Sequence, residues 1–244
     1  MKKIFLILLF SKSLFLLSQE ETISTPVVEK ESKYDIEINY GISFPGKDIH
    51  TNSWEDNFSS YSKPGVDIRA SFLLKIWKNA GLFVAYHYLN NDFDFDIILK
   101  KFSEKSDVYE WSGTHSEWYH HTLYFGISTE IPLSKKFNLN LRIQPGLSYS
   151  TSPDYKVVGQ NKSDKNDFYI YQQFYDNSLA FALTSGLGVK FSITKLFYTS
   201  LRSDLSFFSP KFEIDVNNDG RQYYKEYTPY ITSFSISAGV GVKF

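Results

Sequence analysis

The chain has 244 residues, 26 Lys and Arg against 27 Asp and Glu, no Cys, and 18% aromatic side chains. A net charge of -1 offers no basic footprint for nucleic acid, and the lack of Cys removes disulfides, thiolate metal sites and thiol catalysis. Beyond the first 17 residues no apolar run approaches the roughly 20 residues that a spanning helix needs, so a membrane protein of this composition must cross with strands.

Lys2 and Lys3 precede the apolar stretches Ile4–Phe10 and Leu14–Leu17, the charged and hydrophobic regions of an export signal. Residues 1–18 are read as that signal, cut after Ser18, and the polar residues 19–33 as a flexible periplasmic leader. From Tyr34 to Phe244 the apolar residues alternate with polar or small ones, which is the two-faced pattern of β-strands. The period predicts eight strands: 34–44, 65–77, 81–95, 118–133, 137–150, 178–194, 196–208 and 230–244. Between them long connections (45–62, 96–116, 151–177, 209–228) alternate with turns at Lys78–Ala80, Ser134–Lys136 and Thr194–Lys195.

That alternation predicts an all-β, eight-stranded antiparallel up-and-down transmembrane β-barrel with short periplasmic turns and long extracellular loops. One face of each strand is apolar, while the other carries Asp, Glu, Arg, Lys and Gly that a dry core could not hold unpaired. Tyr40, Phe44, Tyr124, Tyr149, Phe207 and Tyr230 are read as aromatic girdles at the membrane surfaces.

The terminal run Phe234-Ser-Ile-Ser-Ala-Gly-Val-Gly-Val-Lys-Phe244 resembles the last strand of bacterial outer-membrane proteins, which ends in an aromatic residue. With eight strands, the chain from residue 34 resembles the small barrels of the OmpX and OmpA-transmembrane type. The resemblance implies outer-membrane location and recognition of Phe244 by the barrel assembly machinery; it implies no particular activity.

Eight strands enclose a lumen that side chains can fill, so a pore for large solutes is excluded. The inward acids are Asp35, Glu37, Asp67, Glu130 and Asp204, and the inward bases are Arg69, Lys75, Arg142, Lys190, Arg202 and Lys243. Glu37, Lys75, Glu130, Lys190 and Lys243 lie toward the short-turn ends, where they can form one charged floor. The network either plugs the lumen or gates ions and small solutes.

Asp215, Asn217, Asp219, Gly220 and Glu226 match the spacing of a calcium-binding loop, the one metal site the sequence offers, and the same stretch is equally a plain β-hairpin. No other cofactor is expected. His87-Tyr-Leu89-Asn90 resembles the His-x-Ser-Asn stretch of PagL-type deacylases, but Leu89 stands where that chemistry needs a serine. His115, Glu117, His120 and His121 are read as polar rim residues, because adjacent strand residues point to opposite faces. The loop aromatics Trp54, Tyr61, Tyr109, Trp111, Trp118, Tyr155, Tyr169, Tyr171 and Tyr175 provide a contact surface for an extracellular protein or glycan, or else cap the barrel mouth or rest on lipid headgroups. The expected function is a non-enzymatic, monomeric barrel among outer-membrane lipids, structural or surface-binding through its loops. The alternatives are a narrow channel and, further off, a lipid-modifying barrel enzyme.

Overall fold

The computed structural model describes residues 32–46 and 62–244. The export signal, nearly all of the leader, Trp54 and Tyr61 lie outside the described residues.

Eight strands close into an antiparallel barrel: β1 (Tyr34–Pro45), β2 (Ser62–Trp77), β3 (Ala80–Phe93), β5 (Trp118–Pro132), β6 (Phe137–Thr151), β9 (Asn177–Ser192), β10 (Phe197–Phe208) and β13 (Ile231–Lys243). Each pairs with its sequence neighbours in the barrel, and β1 closes on β13 with Ile38 opposite Val240. The last strand also locks the first turn of the wall: Lys33 and Tyr34 donate their backbone N–H groups to the Phe244 carbonyl, and the Tyr34 and Phe244 rings lie 5.7 Å apart.

The short turns are local chemistry. The Ser134 hydroxyl accepts from the Phe137 N–H at 3.2 Å and the Thr194 hydroxyl from the Phe197 N–H at 2.9 Å, so each side chain stands in for a strand partner while the chain reverses.

The outward set is Ile36, Ile38, Tyr40 and Ile42 on β1, with Leu123, Phe125 and Ile127 on β5, and it is exposed all round. A continuous apolar belt of this kind is unstable in water and matched to hydrocarbon, while closure leaves no unpaired strand edge in the wall. The chain is a β-barrel of outer-membrane type.

Tyr124 departs from the girdle reading. Its neighbours Leu123 and Phe125 face out, so the period of two turns Tyr124 inward, where it is fully buried and accepts a hydrogen bond from Thr184 at 2.8 Å.

The long connections are not simple loops. They contribute α1 (Phe95–Lys105), β4 (Tyr109–His115), β7 (Tyr155–Asn161), β8 (Phe168–Gln173), β11 (Phe212–Asn218) and β12 (Arg221–Tyr227). These five strands form one sheet in the order β12-β11-β8-β7-β4, drawn from three separate connections. The third wall strand stops at Phe93, short of residue 95, because Phe95 opens α1, whose apolar residues Phe95, Ile98, Leu99 and Phe102 share a face at helical spacing. That face packs on the sheet with Val157, Tyr171, Ile214 and Val216, and the cluster runs down to Phe93 and Trp118 at the barrel rim. A folded outer unit therefore sits over the mouth.

Candidate functional site

Alternation along the wall strands sends the charged residues into the lumen, and pairing register decides which of them meet. Arg69 of β2 and Arg142 of β6 both reach Asp204 of β10, at 2.9 and 3.2 Å. Gly186 permits this: a Cβ there would come within 1.9 Å of Asp204 Oδ1. Arg202 reaches Glu37 at 2.5 Å, and Glu37 also accepts from Tyr198 at 2.9 Å and Ser200 at 2.6 Å. Nearer the short turns, Lys190 bridges Asp35 at 3.0 Å and Glu130, and Lys75 lies 3.5 Å from Asp35 and 3.6 Å from Glu130.

Lys243 stands at the edge of this floor, within electrostatic reach of Glu130 and Asp35 and over the same Tyr198 ring as Lys190. It sits at the end of β13, donates to the Ser192 hydroxyl at 3.3 Å, and lies over the Tyr198 ring at 5.1 Å. His87 faces inward, 3.1 Å from Asp67. Small voids of about 10 Å³ flank these layers, one around Glu37, Arg142 and Arg202 and one under Trp118 and His120. Each has room for about one water. The apolar side chains Leu73, Phe83, Leu89 and Phe208 fill the space between.

The calcium spacing folds as the hairpin β11–β12. Asp219 and Gly220, at φ 51° and 81°, form the two-residue turn, with Asn218 opposite Arg221. Asp215 pairs with Tyr224, while Glu226 pairs with Glu213 and binds Lys211 at 2.9 Å. From the turn to Glu226 the strand runs about 17 Å, so Asp215, Asn217, Asp219 and Glu226 do not converge on one ion. Among the described residues no group of three or more His, Asp or Glu could hold a metal.

The three rim histidines diverge. His120 points inward to Ser150 at 2.9 Å, His121 outward to the Tyr86 hydroxyl at 2.7 Å, and His115 stacks on Phe95 at 5.0 Å. Glu117 accepts from Asn90 at 2.5 Å. Leu89, two residues after His87, is buried in the lumen, so no serine stands beside that histidine in the stretch resembling a deacylase.

The loop aromatics, read either as a contact surface or as caps on the barrel mouth or lipid headgroups, mostly turn inward. Trp118, Tyr155 and Tyr171 are buried, Trp111 and Tyr169 are partly buried against them, and Tyr175 alone of the described set is largely exposed at 61%. They alternate inward along β4, β7 and β8 because the sheet has a core of its own. Trp111 donates its indole N–H to the Ser106 carbonyl at 3.1 Å, and the Tyr169 hydroxyl donates to Asn218.

Between this inner face and α1 lies a cavity of about 360 Å³. Aromatic rings form most of its wall, with Lys105, Ser106, Gln173, Asn218 and Lys225 supplying polar points. Volume and composition are those of a small-molecule site. Burial raises the Tyr171 hydroxyl above the ordinary phenol range and lowers the Lys225 ammonium below the ordinary lysine range.

No protein-family model matches the sequence, and no curated protein matches it. Among solved structures the chain is similar to Neisserial surface protein A, at 12% identity and a TM-score of 0.50, over 88% of this chain and 100% of that one. It is also similar to a major outer membrane protein of Thermus thermophilus, at 10% identity and a TM-score of 0.47, over 86% and 99%. The outer membrane protein OprG of Pseudomonas aeruginosa aligns at 10% identity and a TM-score of 0.47, over 88% and 97%. Likeness at this identity concerns fold: the chain has the architecture of the small eight-stranded outer-membrane barrels, here with a five-stranded sheet and a helix folded above the wall.

Proposed function

We propose that this protein is a non-enzymatic surface-binding barrel, a stable transmembrane foot for a ligand-binding outer unit. The observation that carries the reading is the cavity of about 360 Å³ in the outer unit, set above a lumen crossed by ion pairs. Chemistry and shape that can recognise something lie outside the membrane, while the interior is filled by side chains whose acids and bases form ion pairs. The foot acts as a monomer in outer-membrane lipid, with Phe244 as its signal to the assembly machinery. The channel alternative has less support, because Asp204 holds guanidinium groups from two different strands across the lumen.

The test compares the refolded full chain with a variant whose segments 95–115, 155–173 and 212–227 are replaced by short turns. Both are first shown to keep the heat-dependent gel shift of a closed barrel, then applied to arrays of glycans, small organic acids and extracellular proteins. The reading expects ligands that bind the full chain and are lost in the trimmed one. Identical binding profiles would remove it. Stepwise conductance in planar bilayers that changes on Glu130→Gln or Arg142→Gln would favour the channel.

A further inference from the structure

We propose that the cleft between α1 and the inner face of the outer sheet binds a small organic anion with a flat ring, its negative group at Lys225 and its ring between the aromatic walls. This deepens the surface-binding reading and rests on it.

Lys225 is placed by the β12 alternation. Tyr224 and Glu226 point away from the sheet core, Tyr224 being 82% exposed, while Tyr223, Lys225 and Tyr227 turn toward the cavity. The lysine is half-buried, and the cavity lining contains Lys105 and Lys225 but no Asp or Glu. A half-buried ammonium facing a cleft without a carboxylate on its walls has lost part of its water without gaining a counter-charge, a cost that an entering anion offsets. The lowered lysine pKa has burial as its sole cause, in agreement with that placement.

The walls select the rest of the ligand. Phe102 and Trp111 have ring centres 5.1 Å apart, and Tyr155 and Tyr171 are stacked at 5.9 Å, so the surfaces offered are ring faces and ring edges. Rigid aromatic faces favour a flat guest over a flexible chain of equal size, since the guest gives up fewer rotamers on binding. The Tyr171 hydroxyl interacts with Tyr155 and Tyr223, so the wall that Lys225 also lines carries polar points among its rings. Charge recognition at one point and stacking along the sides are complementary to an aromatic carboxylate or a similar ring acid.

The experiment is calorimetric titration of the refolded full chain with cinnamate, its neutral amide cinnamamide, and nonanoate, a flexible acid with the same number of carbons. Cinnamate is expected to bind about tenfold or more tightly than cinnamamide, the value of one charge-assisted contact, and more tightly than nonanoate, which keeps the carboxylate but gives up more rotamers and stacks on no ring. Lys225→Gln is expected to reduce cinnamate to the affinity of the amide, while Lys211→Gln, at an exposed site paired with Glu226, leaves it unchanged. The gel shift and the far-ultraviolet dichroism of each variant confirm that it is folded. Equal binding of cinnamamide, equal binding of nonanoate, or cinnamate binding untouched by Lys225→Gln would each overturn the proposal. If cinnamate fails to bind while another ligand is lost on trimming the outer unit, this inference falls and the surface-binding reading stands.

Discussion

Arg69 and Asp204 meet at 2.9 Å across the barrel lumen, from β2 and β10, with both side chains 1% exposed. The two strands stand three places apart around the eight-stranded wall, with β1 and β13 between them, so the contact spans the lumen, and Arg142 adds a third strand to the same carboxylate. A buried ion pair contributes little net stability against a well-packed apolar replacement, yet removing one partner strands the other. The network therefore acts chiefly by fixing which strands face one another and by filling the lumen.

Removing the carboxylate should expose that asymmetry. Asp204→Ala leaves two guanidinium groups buried without their partner and is expected to cost about 3–5 kcal/mol, read from the urea midpoint of reversible folding in lipid vesicles. Replacing all three with apolar residues of similar size should recover much of the loss. A cost below about 1 kcal/mol for Asp204→Ala would mean that the pairs are solvated like surface ones.

The outer unit depends on its own core. Phe102 packs on Trp111 and Tyr171, at 5.1 and 5.4 Å, and only tertiary contact can hold an 11-residue helix such as α1. Phe102→Ala is expected to destabilise this unit by about 3–5 kcal/mol. Limited proteolysis should then cut within 95–115 and 155–173 while the protected barrel core and its gel shift persist. Loss of the gel shift in the same variant would show that the two layers fold as one.

The hairpin tip offers a narrower test. Gly220 sits at φ 81° with nothing within 4 Å of a built Cβ, so a side chain there meets backbone strain and no clash. Gly220→Ala should cost about 1–2 kcal/mol and loosen β12 locally. Calcium at about 1 mM should leave the melting of wild type unchanged, since the four candidate oxygen residues do not converge. A calcium-dependent rise in melting temperature would restore the loop reading.

Alkaline pH should act on the outer unit. Burial raises the Tyr169 and Tyr171 hydroxyls above the ordinary phenol value near 10, so the folded unit keeps protons that the unfolded chain releases. Their contribution is intact below pH 10 and is lost as pH rises through the folded values. Absorbance of phenolate should lag in the folded chain, and protease sensitivity of 155–173 should increase above about pH 10. Phenol titration identical in folded and urea-unfolded protein would contradict the burial of these rings.

The wall was legible because every spanning strand repeats one rule, apolar out and polar in, and lipid punishes exceptions. The same rule, carried through Leu123 and Phe125, places Tyr124 inside, although its chemistry suits a girdle. The outer unit was harder to read. Its strands are six or seven residues long and come from three connections, so Trp111, Tyr155 and Tyr171 find partners far away in sequence. Two local signals were present nonetheless: the helical spacing of Phe95, Ile98, Leu99 and Phe102, and the Asn-Asp-Gly turn between alternating runs. The lumen ion pairs follow from inward alternation, but that Arg69 and Arg142 share Asp204 depends on strand stagger, which no pattern within one strand specifies.

Hydrogen exchange of the protein in lipid nanodiscs tests most directly whether a folded unit stands above the barrel. The backbone amides of Tyr109–His115, Tyr155–Asn161, Phe168–Gln173, Phe212–Asn218 and Arg221–Tyr227 pair in one sheet, and those hydrogen-bonded within it should be protected well beyond the rates of unstructured peptide. Exchange in these segments at the rate of free peptide, with the eight wall strands protected, would reduce the outer unit to ordinary loops and remove the basis for a built binding site.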